Sequence, residues 1–286
     1  MQGRIVRILS KDYTVLLEDG QRVNAIALGR LRKGFSPVIG DLVQVRESKH
    51  AWGIEKIEKR RSCLVRPPCA NVDQALIVMS VKEPDFSTAL IDRLSSLIMY
   101  ASIVPILCVT KCDLGIDDET EARIREYEAG KMQVLRTAKD SLNPAVADLF
   151  RNKITVLTGQ SGAGKSTLLN EINPEFHLET QAISKALGRG KHTTRHSELH
   201  EVSGGLVADT PGFSSLDFSQ MKAEELAATI PDFVPYLGRC RFNDCIHENE
   251  PDCGIKEAVA EGKISRTRYE NYLDILKLIR NRKETW

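Results

Sequence analysis

The stretch that decides the fold is Gly159-Gln160-Ser161-Gly162-Ala163-Gly164-Lys165-Ser166-Thr167. It fits G-x-x-x-x-G-K-[ST], a loop whose backbone N–H groups point at phosphate. The run before it, 153–158 (KITVLT), predicts a short buried strand, and the run after it, 167–172 (TLLNEI), predicts the first turns of a helix. Because the motif requires a strand, a loop and a helix in this order, we predict a nucleotide phosphate site rather than a chance glycine turn.

Two side chains of this loop are expected to bind the nucleotide and its metal ion. Lys165 is expected to reach the β- and γ-phosphates of a nucleotide. The Ser166 hydroxyl is expected to ligate Mg²⁺, and the start of the helix adds partial positive charge. The loop alone does not indicate which base is bound.

Two segments upstream of the loop resemble the base-reading motifs of GTPases. An apolar strand predicted at 104–109 leads into Thr110-Lys111-Cys112-Asp113, which resembles [NT]-K-x-D. A strand predicted at 132–136 leads into Thr137-Ala138-Lys139, which is similar to the S-A-K motif whose backbone N–H groups back the guanine. The aspartate of the first motif accepts two hydrogen bonds from guanine, and adenine cannot supply that pair of donors. These motifs favour GTP and GDP as ligands, and an ATPase or kinase is the alternative.

A segment downstream of the loop resembles the D-x-x-G motif that opens switch II. The strand predicted at 205–208 leads into 209–212 (DTPG). In that motif Asp209 would hold Mg²⁺ through water, and the Gly212 N–H would contact the γ-phosphate. The next residue is Phe213, where Ras-type GTPases carry a glutamine that orients the attacking water. A phenyl ring cannot orient water, so another group or a partner must do so.

The polar stretch 188–195 (GRGKHTTR) suits a mobile switch I. Either Thr193 or Thr194 would complete the magnesium shell, and the spacing does not decide between them. His192 is the candidate for orienting water, because an imidazole can accept a proton near neutral pH. The alternative is a solvated loop histidine.

The order of these motifs differs from that of an ordinary GTPase. The base-reading segments at 110 and 137 precede the phosphate loop at 159, whereas they would normally follow it. A circular permutation explains this order, since domain termini usually lie on the surface and are often close together. Switch II then stands near the end of the nucleotide domain, so we expect nucleotide state to be relayed from there to the C-terminal part.

Residues 1–60 predict five short strands, at 3–10, 13–18, 21–27, 41–47 and 52–58. Asp19-Gly20 predicts a hairpin turn between the second and the third strand. Five such strands fit an OB-type barrel, which commonly binds oligonucleotides, and an SH3-like barrel for protein contact is the alternative. Candidate RNA contacts are Arg22, Arg30, Arg32, Lys33, Tyr13 and Trp52. Residues 60–68 predict a linker.

A cysteine and histidine cluster follows the nucleotide motifs: Cys240-x₄-Cys245-x-His247-x₅-Cys253. Three thiolates and one imidazole match a closed zinc site, which we expect to be structural because no ligand position is left open. Helices are predicted at 255–261 and 265–282. The basic residues of this region are expected to form one face, either solvated or facing rRNA: Lys263, Arg266, Arg268, Lys277, Arg280 and Arg282.

Composition sets the class of protein. The chain has 286 residues, of which 42% are hydrophobic and 28% charged, as in soluble globular proteins of two or three domains. No apolar run approaches the length of a membrane span, so we expect a cytoplasmic protein without a membrane partner. The net charge of +1 gives no general attraction to nucleic acid.

Permuted motifs, an N-terminal barrel and a Cys₃His cluster together resemble the circularly permuted, ribosome-small-subunit-dependent GTPase family, over essentially the whole chain. The resemblance implies an all-β OB-like barrel at 1–62, a circularly permuted α/β P-loop GTPase domain at 63–220 and a helical zinc-binding subdomain at 221–286. It implies a catalytic histidine at His192 and a monomer that hydrolyses GTP on the small ribosomal subunit and its rRNA, as a late assembly factor or checkpoint. An RNA-binding module with a regulatory nucleotide site is a further alternative.

Overall fold

The structure, a computed structural model, describes residues 1–28, 36–48, 51–65, 68–139, 141, 143–173, 197–208 and 218–281. The chain divides into two units. The first unit comprises Met1–Ala75, Pro144–Leu157 and Ser166–Phe213, and the second comprises Leu76–Asn143, Thr158–Lys165 and Ser214–Trp286.

The first unit begins with the predicted five-stranded barrel. Its strands are β1 (Gln2–Leu9), β2 (Asp12–Leu17), β3 (Arg22–Ala27), β4 (Leu42–Ser48) and β5 (Ala51–Ile57). They follow the order β1-β2-β3-β5-β4, and an additional β1–β4 pairing closes the barrel. Inward-facing apolar residues fill it, among them Ile5, Val15, Val43 and Ile54. The alternation of buried and exposed residues along β3 and β4 is what the sequence pattern predicts for strands with one buried face.

The turn between β2 and β3 has the predicted geometry. Gly20 has a φ of 85°, which glycine adopts without a steric penalty. The Gln21 N–H donates to Asp19 Oδ1 at 2.9 Å, so the aspartate side chain holds the turn. The prediction from Asp19-Gly20 is therefore confirmed.

The rest of the first unit extends the sheet beyond the barrel. Its strands are β11 (Ile154–Gly159), β12 (Ser197–Val202) and β13 (Gly205–Ala208), with the short helix α3 (Pro144–Asp148) before them. Strands β11 and β13 are parallel, β12 is antiparallel to β13, and β12 also pairs antiparallel with β1, where Arg7 lies opposite Glu198. The predictions of β11 and β13 are confirmed, and β12 is an additional strand.

The predicted linker is in part ordered structure. Strands β6 (Cys63–Val65) and β7 (Pro68–Ala70) pair as a hairpin. Arg60 is ion-paired with the fully buried Asp41, with 2.7 Å between Nε and Oδ1. The linker prediction is therefore wrong from Cys63 to Val65 and at Pro68, because these residues pair across a hairpin.

The second unit contains the strands that carry the base-reading motifs. Its sheet has the order β10 (Gln133–Arg136), β9 (Val104–Thr110) and β8 (Gln74–Ser80). Strands β9 and β10 were predicted, and the fully buried β8 was not. Helices α1 (Thr88–Tyr100) and α2 (Asp118–Ala129) follow β8 and β9. Both begin at a capping side chain, since Ser87 accepts from the Leu90 N–H and Asp117 from the Thr120 N–H.

The C-terminal part of the second unit is helical. It contains α5 (Ala223–Leu226), α6 (Gly254–Ala260) and α7 (Arg266–Arg280), and the last two confirm the predicted helices. Its core is built around Phe233 and Tyr272, whose ring centroids are 5.2 Å apart. None of the helices in the described ranges is both long and apolar enough to cross a bilayer.

The predicted basic face of α7 is wrong at Arg268. That side chain is buried among acidic groups rather than exposed. Lys277 is paired with Asp274 at 3.1 Å and Arg280 with Glu248 at 2.5 Å. Paired cations are less available for phosphate than the sequence suggests, and Arg282 lies outside the described residues.

Candidate functional site

The phosphate loop stands between β11 and helix α4 (Lys165–Ile172), as predicted. At Gly159 a Cβ atom would lie 2.0 Å from the carbonyl oxygen of Val78, so only glycine fits against β8. Gly162 and Gly164 have φ angles of 82° and 90°, which side-chain-bearing residues rarely adopt. Together they give the loop the concave backbone that holds phosphate. Ser166 and Thr167 lie in the first turn of α4.

The Lys165 side chain folds back over this loop. Its Nζ donates to the carbonyl oxygens of Gly159 at 3.0 Å and Gln160 at 2.5 Å. Burial lowers the pKa of Lys165, because the charged ammonium loses solvation. An anion in the loop would restore that lost solvation, so the arrangement favours a phosphate ligand.

The first base-reading motif is attached to the phosphate loop. The Thr110 hydroxyl donates to the carbonyl oxygen of Ala163 at 2.6 Å, and both residues are buried. The Lys111 Nζ donates to the carbonyl oxygen of Glu83, in the loop between β8 and α1. These bonds place the segments for base and phosphate next to each other, as the motifs predict.

The two base-reading segments are in direct contact. The Lys139 N–H donates to Asp113 Oδ1 at 3.0 Å. The Cys112 N–H donates to the Thr137 carbonyl oxygen at 3.2 Å. The Thr137 N–H in turn donates to the Val109 carbonyl oxygen at 2.9 Å. The structure therefore brings Asp113 and residues 137–139 together at the ends of β9 and β10.

Lys165 and Ser166 are described above, but five other residues predicted for magnesium and for hydrolysis fall outside the described part of the chain. These residues are His192, Thr193, Thr194, Asp209 and Gly212. The same holds for the barrel cations Arg30, Arg32 and Lys33. Their roles stay predictions.

The described RNA-contact candidates of the barrel are already engaged. Arg22 is ion-paired with Glu201 at 2.8 Å, and both side chains are largely exposed. Tyr13 and Trp52 are partly buried against the barrel core. Their use in RNA binding stays a prediction.

The predicted zinc ligands meet in one cluster. Cys240, Cys245 and Cys253 place their Sγ atoms 3.5, 3.4 and 3.4 Å from His247 Nδ1, and the Sγ atoms of Cys240 and Cys253 are 3.9 Å apart. A tetrahedral ion with Zn–S bonds of about 2.3 Å requires S···S edges of about 3.8 Å and S···N edges slightly shorter. The cluster therefore fits a four-coordinate zinc ion.

Hydrogen bonds hold the loop that carries His247. Tyr269 and Tyr272 of α7 donate their hydroxyls to the carbonyl oxygens of His247 at 2.8 Å and Ile246 at 2.5 Å. The Glu250 carboxylate accepts the Ile246 and Glu248 N–H groups. Burial raises the pKa of Cys245 to about 12, an effect that a bound cation would oppose.

Sequence reasoning missed the charged group around Arg268, which joins α7 to Asp92 and Asp232. One signal could have found it. Arg268 stands four residues before the buried Tyr272, so helical periodicity places it on the apolar face. An arginine there requires buried acidic partners.

A phosphate loop joined to Asp113 and to residues 137–139, with the base-reading segments first in the chain, defines a circularly permuted P-loop GTPase. The model of the family described as RsgA GTPase matches residues 57–219. The chain belongs to the RsgA GTPase family, which confirms the predicted fold class and the predicted enzyme class.

Relatives match over nearly the full length. The small ribosomal subunit biogenesis GTPase RsgA of Bacillus subtilis is 44% identical, over 99% of this chain and 98% of the relative. The protein of the same name from Streptococcus pneumoniae is 43% identical, over 100% of this chain and 97% of the relative. Among solved structures, YloQ, described as a circularly permuted GTPase, has a TM-score of 0.85 at 38% identity, over 100% and 96% of the two chains. YjeQ from Thermotoga maritima has a TM-score of 0.86 at 32% identity, over 99% of each chain.

Proposed function

We propose that this protein hydrolyses GTP to GDP and phosphate while bound to the small ribosomal subunit, as a late assembly factor or checkpoint. The observation that carries the proposal is the full-length similarity to relatives named small ribosomal subunit biogenesis GTPases. The geometry of the site supports the assignment of residues to guanine and phosphate binding.

The base is read by the segments at the ends of β9 and β10. Asp113 accepts the N1–H and the exocyclic amine of guanine, and the Lys111 stem lies against the ring. The backbone segment of Ala138 and Lys139 backs the base, and the Lys139 N–H orients the Asp113 carboxylate that reads it. Adenine does not offer the pair of donors that guanine presents to this carboxylate, which disfavours ATP.

The phosphates are held by residues 159–167. Lys165 is the charge that meets the β- and γ-phosphates. Ser166 would hold Mg²⁺, together with Asp209 through water and with Thr193 or Thr194. Magnesium would neutralise the charge that develops on the phosphates during transfer. The N–H of Gly212 contacts the γ-phosphate.

His192 is the group that orients the attacking water or accepts a proton from it, since the phenyl ring of Phe213 can do neither. In the variant His192→Ala we expect loss of partner-stimulated turnover with nucleotide affinity retained. Nucleotide titration and steady-state hydrolysis measure the two quantities separately. Unchanged stimulated turnover would remove His192 from the mechanism.

The zinc ion has a structural role, with one ion per chain held by Cys240, Cys245, His247 and Cys253. These residues leave no open ligand position, and the ion takes no part in the hydrolysis of GTP.

Each proposed domain has its own role. The barrel at 1–62 and the zinc-binding subdomain at 221–286 contact rRNA, and the GTPase domain at 63–220 hydrolyses GTP. We place this activity in the cytoplasm, in a protein that acts as a monomer with no membrane partner.

Steady-state hydrolysis of GTP with and without purified small ribosomal subunits tests the proposal, with ATP measured in parallel. Unassisted GTPases of the Ras type turn over at roughly 10⁻⁴ to 10⁻³ per second, so stimulation is easy to detect. The variant Lys165→Ala controls for contaminating nucleotidases. Stimulation of GTP but not ATP hydrolysis is expected. Absence of stimulation would reject the small subunit as the activating partner, and equal ATP hydrolysis would reject guanine selectivity.

A further inference from the structure

The guanidinium of Arg268 joins helix α7 to two distant acidic residues. Its Nε and one terminal nitrogen donate to the two carboxylate oxygens of Asp232, at 3.1 and 3.2 Å. The other terminal nitrogen donates to Asp92 Oδ1, on helix α1, at 2.5 Å. The side chains of Arg268, Asp92 and Asp232 are 4%, 5% and 8% exposed. Arg268 is therefore fixed in both position and orientation.

Two more side chains complete this group, which we call the Arg268 cluster: Arg268, Asp92, Asp232, Tyr127 and Asn271. The Arg268 guanidinium carbon lies 4.7 Å from the ring centroid of Tyr127, on helix α2. Asn271 Nδ2 donates to the second oxygen of Asp92 at 2.6 Å. The cluster thus connects α1, α2, α7 and the segment before the turn Val234–Tyr236.

Further bonds attach the start of α7 to α2. The Ser265 hydroxyl donates to Glu126 Oε2 at 2.7 Å, and Arg123 donates to the Thr267 hydroxyl at 2.5 Å. At Gly130 a Cβ atom would lie 2.3 Å from Asp232 Oδ1. The backbone at the end of α2 therefore touches the cluster directly.

Helix α2 begins shortly after the first base-reading segment, and the loop before α1 contacts that segment. The Asp117 cap of α2 stands four residues after Asp113. The loop before α1 supplies the Glu83 carbonyl that accepts the Lys111 ammonium. Helices α1 and α2 therefore connect α7 to the part of the second unit that carries the first base-reading segment.

The other end of this connection is the metal cluster. Tyr269 and Tyr272, in the turns of α7 that follow Arg268, hold the loop of His247. A continuous set of hydrogen bonds therefore runs from the zinc ligands through α7 to α1 and α2. Buried ion pairs are weak evidence for stability alone, whereas a bidentate arginine pair specifies orientation.

We infer that Arg268 is a positioning residue for partner-stimulated GTP hydrolysis. It fixes the orientation of the C-terminal subdomain on α1 and α2. A partner bound to that subdomain is then held at a fixed position relative to the nucleotide. This inference rests on the proposed function, because it requires the small ribosomal subunit as activator.

The variant Arg268→Met keeps an unbranched apolar stem and removes the guanidinium. Stimulated kcat is expected to fall at least about tenfold, since small misplacements of a reacting group cost rate steeply. Affinity for the small subunit is expected to stay within about threefold, and intrinsic turnover and GDP affinity within about twofold. The matched control is Arg125→Met, which removes an exposed ion pair of α2 with Glu121 and is expected to change none of these.

A second variant keeps the experiment decisive if Arg268→Met does not fold. Asp92→Asn retains the shape of the side chain and removes one charge, with the exposed Asp274→Asn as its control. Zinc content and the unfolding transition are measured first for every variant, and a folded variant with one zinc per chain is then assayed.

Three outcomes overturn the inference. If the wild type is stimulated and the folded Arg268 or Asp92 variant is stimulated equally, the inference fails and the proposed function stands. If intrinsic and stimulated turnover fall in parallel, the cluster is structural only. If the wild type is not stimulated by small subunits, the proposed function fails and the inference with it.

Discussion

The hydroxyl of Thr110 joins the predicted base-reading segment to the predicted phosphate loop. It bonds to the Ala163 carbonyl inside the phosphate loop, so neither segment can shift without the other. The next residue, Lys111, has a φ of 57°, a left-handed conformation that costs a non-glycine residue about 1 kcal/mol or more. Strain of this kind persists where surrounding contacts fix the backbone, which is expected at a ligand site.

Asp113→Asn tests guanine recognition at a single residue. GTP affinity is expected to fall at least about 30-fold, or about 2 kcal/mol, because one acceptor of a charge-assisted pair becomes a donor. ATP affinity should not change. Titration with GTP, ATP and a xanthine nucleotide measures this, since xanthine offers the acceptor that the amide would then match. Unchanged GTP affinity would show that Asp113 does not read the base.

Local motifs predict individual residues well and distant partners badly. Asp113 and Lys165 were predictable because a few neighbouring positions carry their chemistry. The partners of Arg268 were not, because Asp92 is 176 positions away. Helical spacing places Arg268 on the apolar face, but only the fold shows which acidic residues meet it there.

At the scale of elements, the end of α2 is shaped by its approach to Asp232. Gly130 ends the helix with a φ of −74°, a conformation that any residue adopts. By helix propensity alone, Gly130→Ala would stabilise the protein by up to about 1 kcal/mol. The contact with Asp232 predicts instead that Gly130→Ala destabilises the protein.

We expect Gly130→Ala to lower the free energy of unfolding by about 1–3 kcal/mol, because its Cβ would overlap the Asp232 carboxylate. Urea denaturation measures the change. In an Asp232→Ala background the same substitution should cost much less, since the obstacle is gone. A stabilising effect in the wild-type background would contradict the packing described for this helix end.

Cys240→Ser tests the metal centre as an element of the fold. Zinc affinity is expected to fall by more than about 100-fold, since a ligand is lost rather than a supporting group. Zinc content and hydrogen exchange over residues 240–281 are the measurements. Cys63→Ser, at a half-buried cysteine of β6, is the matched control and should retain the metal. Full zinc occupancy in Cys240→Ser would remove that residue from the ligand set.

Strands and helices with clear periodicity or turn residues were predictable, and those defined by pairing were not. The barrel strands follow alternation, and α7 follows helical spacing. Strand β8 is buried at every position, so no periodicity distinguishes it from a buried helix. The β6–β7 hairpin was hidden by Pro68, which stands at the first position of β7, where prolines are tolerated.

At the scale of the whole molecule, the permuted order places the predicted switch II directly before the C-terminal core. Phe218 and Met221 are buried in that core, and the Tyr100 hydroxyl of α1 donates to the Gln220 carbonyl at 2.9 Å. The residues that follow the switch are therefore packed into the part of the second unit that carries the zinc ligands.

We expect hydrogen exchange over residues 213–235 to differ between the GDP state and the state with a non-hydrolysable GTP analogue. Protection should increase with the analogue, because contacts to the γ-phosphate restrain the start of the segment. Residues 22–27 of β3, in the barrel, serve as the internal reference. Identical exchange in both states would contradict a relay through this junction.

The pairing of β1 with β12 also sets an order of events during synthesis. Arg7 lies opposite Glu198 and Ile8 opposite Ser197, so this end of β1, which β4 does not pair, lacks its partner until the ribosome has added about 190 further residues, roughly 10–40 s of translation. For that time the nascent chain exposes unpaired N–H and C=O groups to which other strands can add. A fragment that ends before β12 keeps this edge permanently, so expression of the barrel alone favours aggregation unless residues 197–208 are supplied with it.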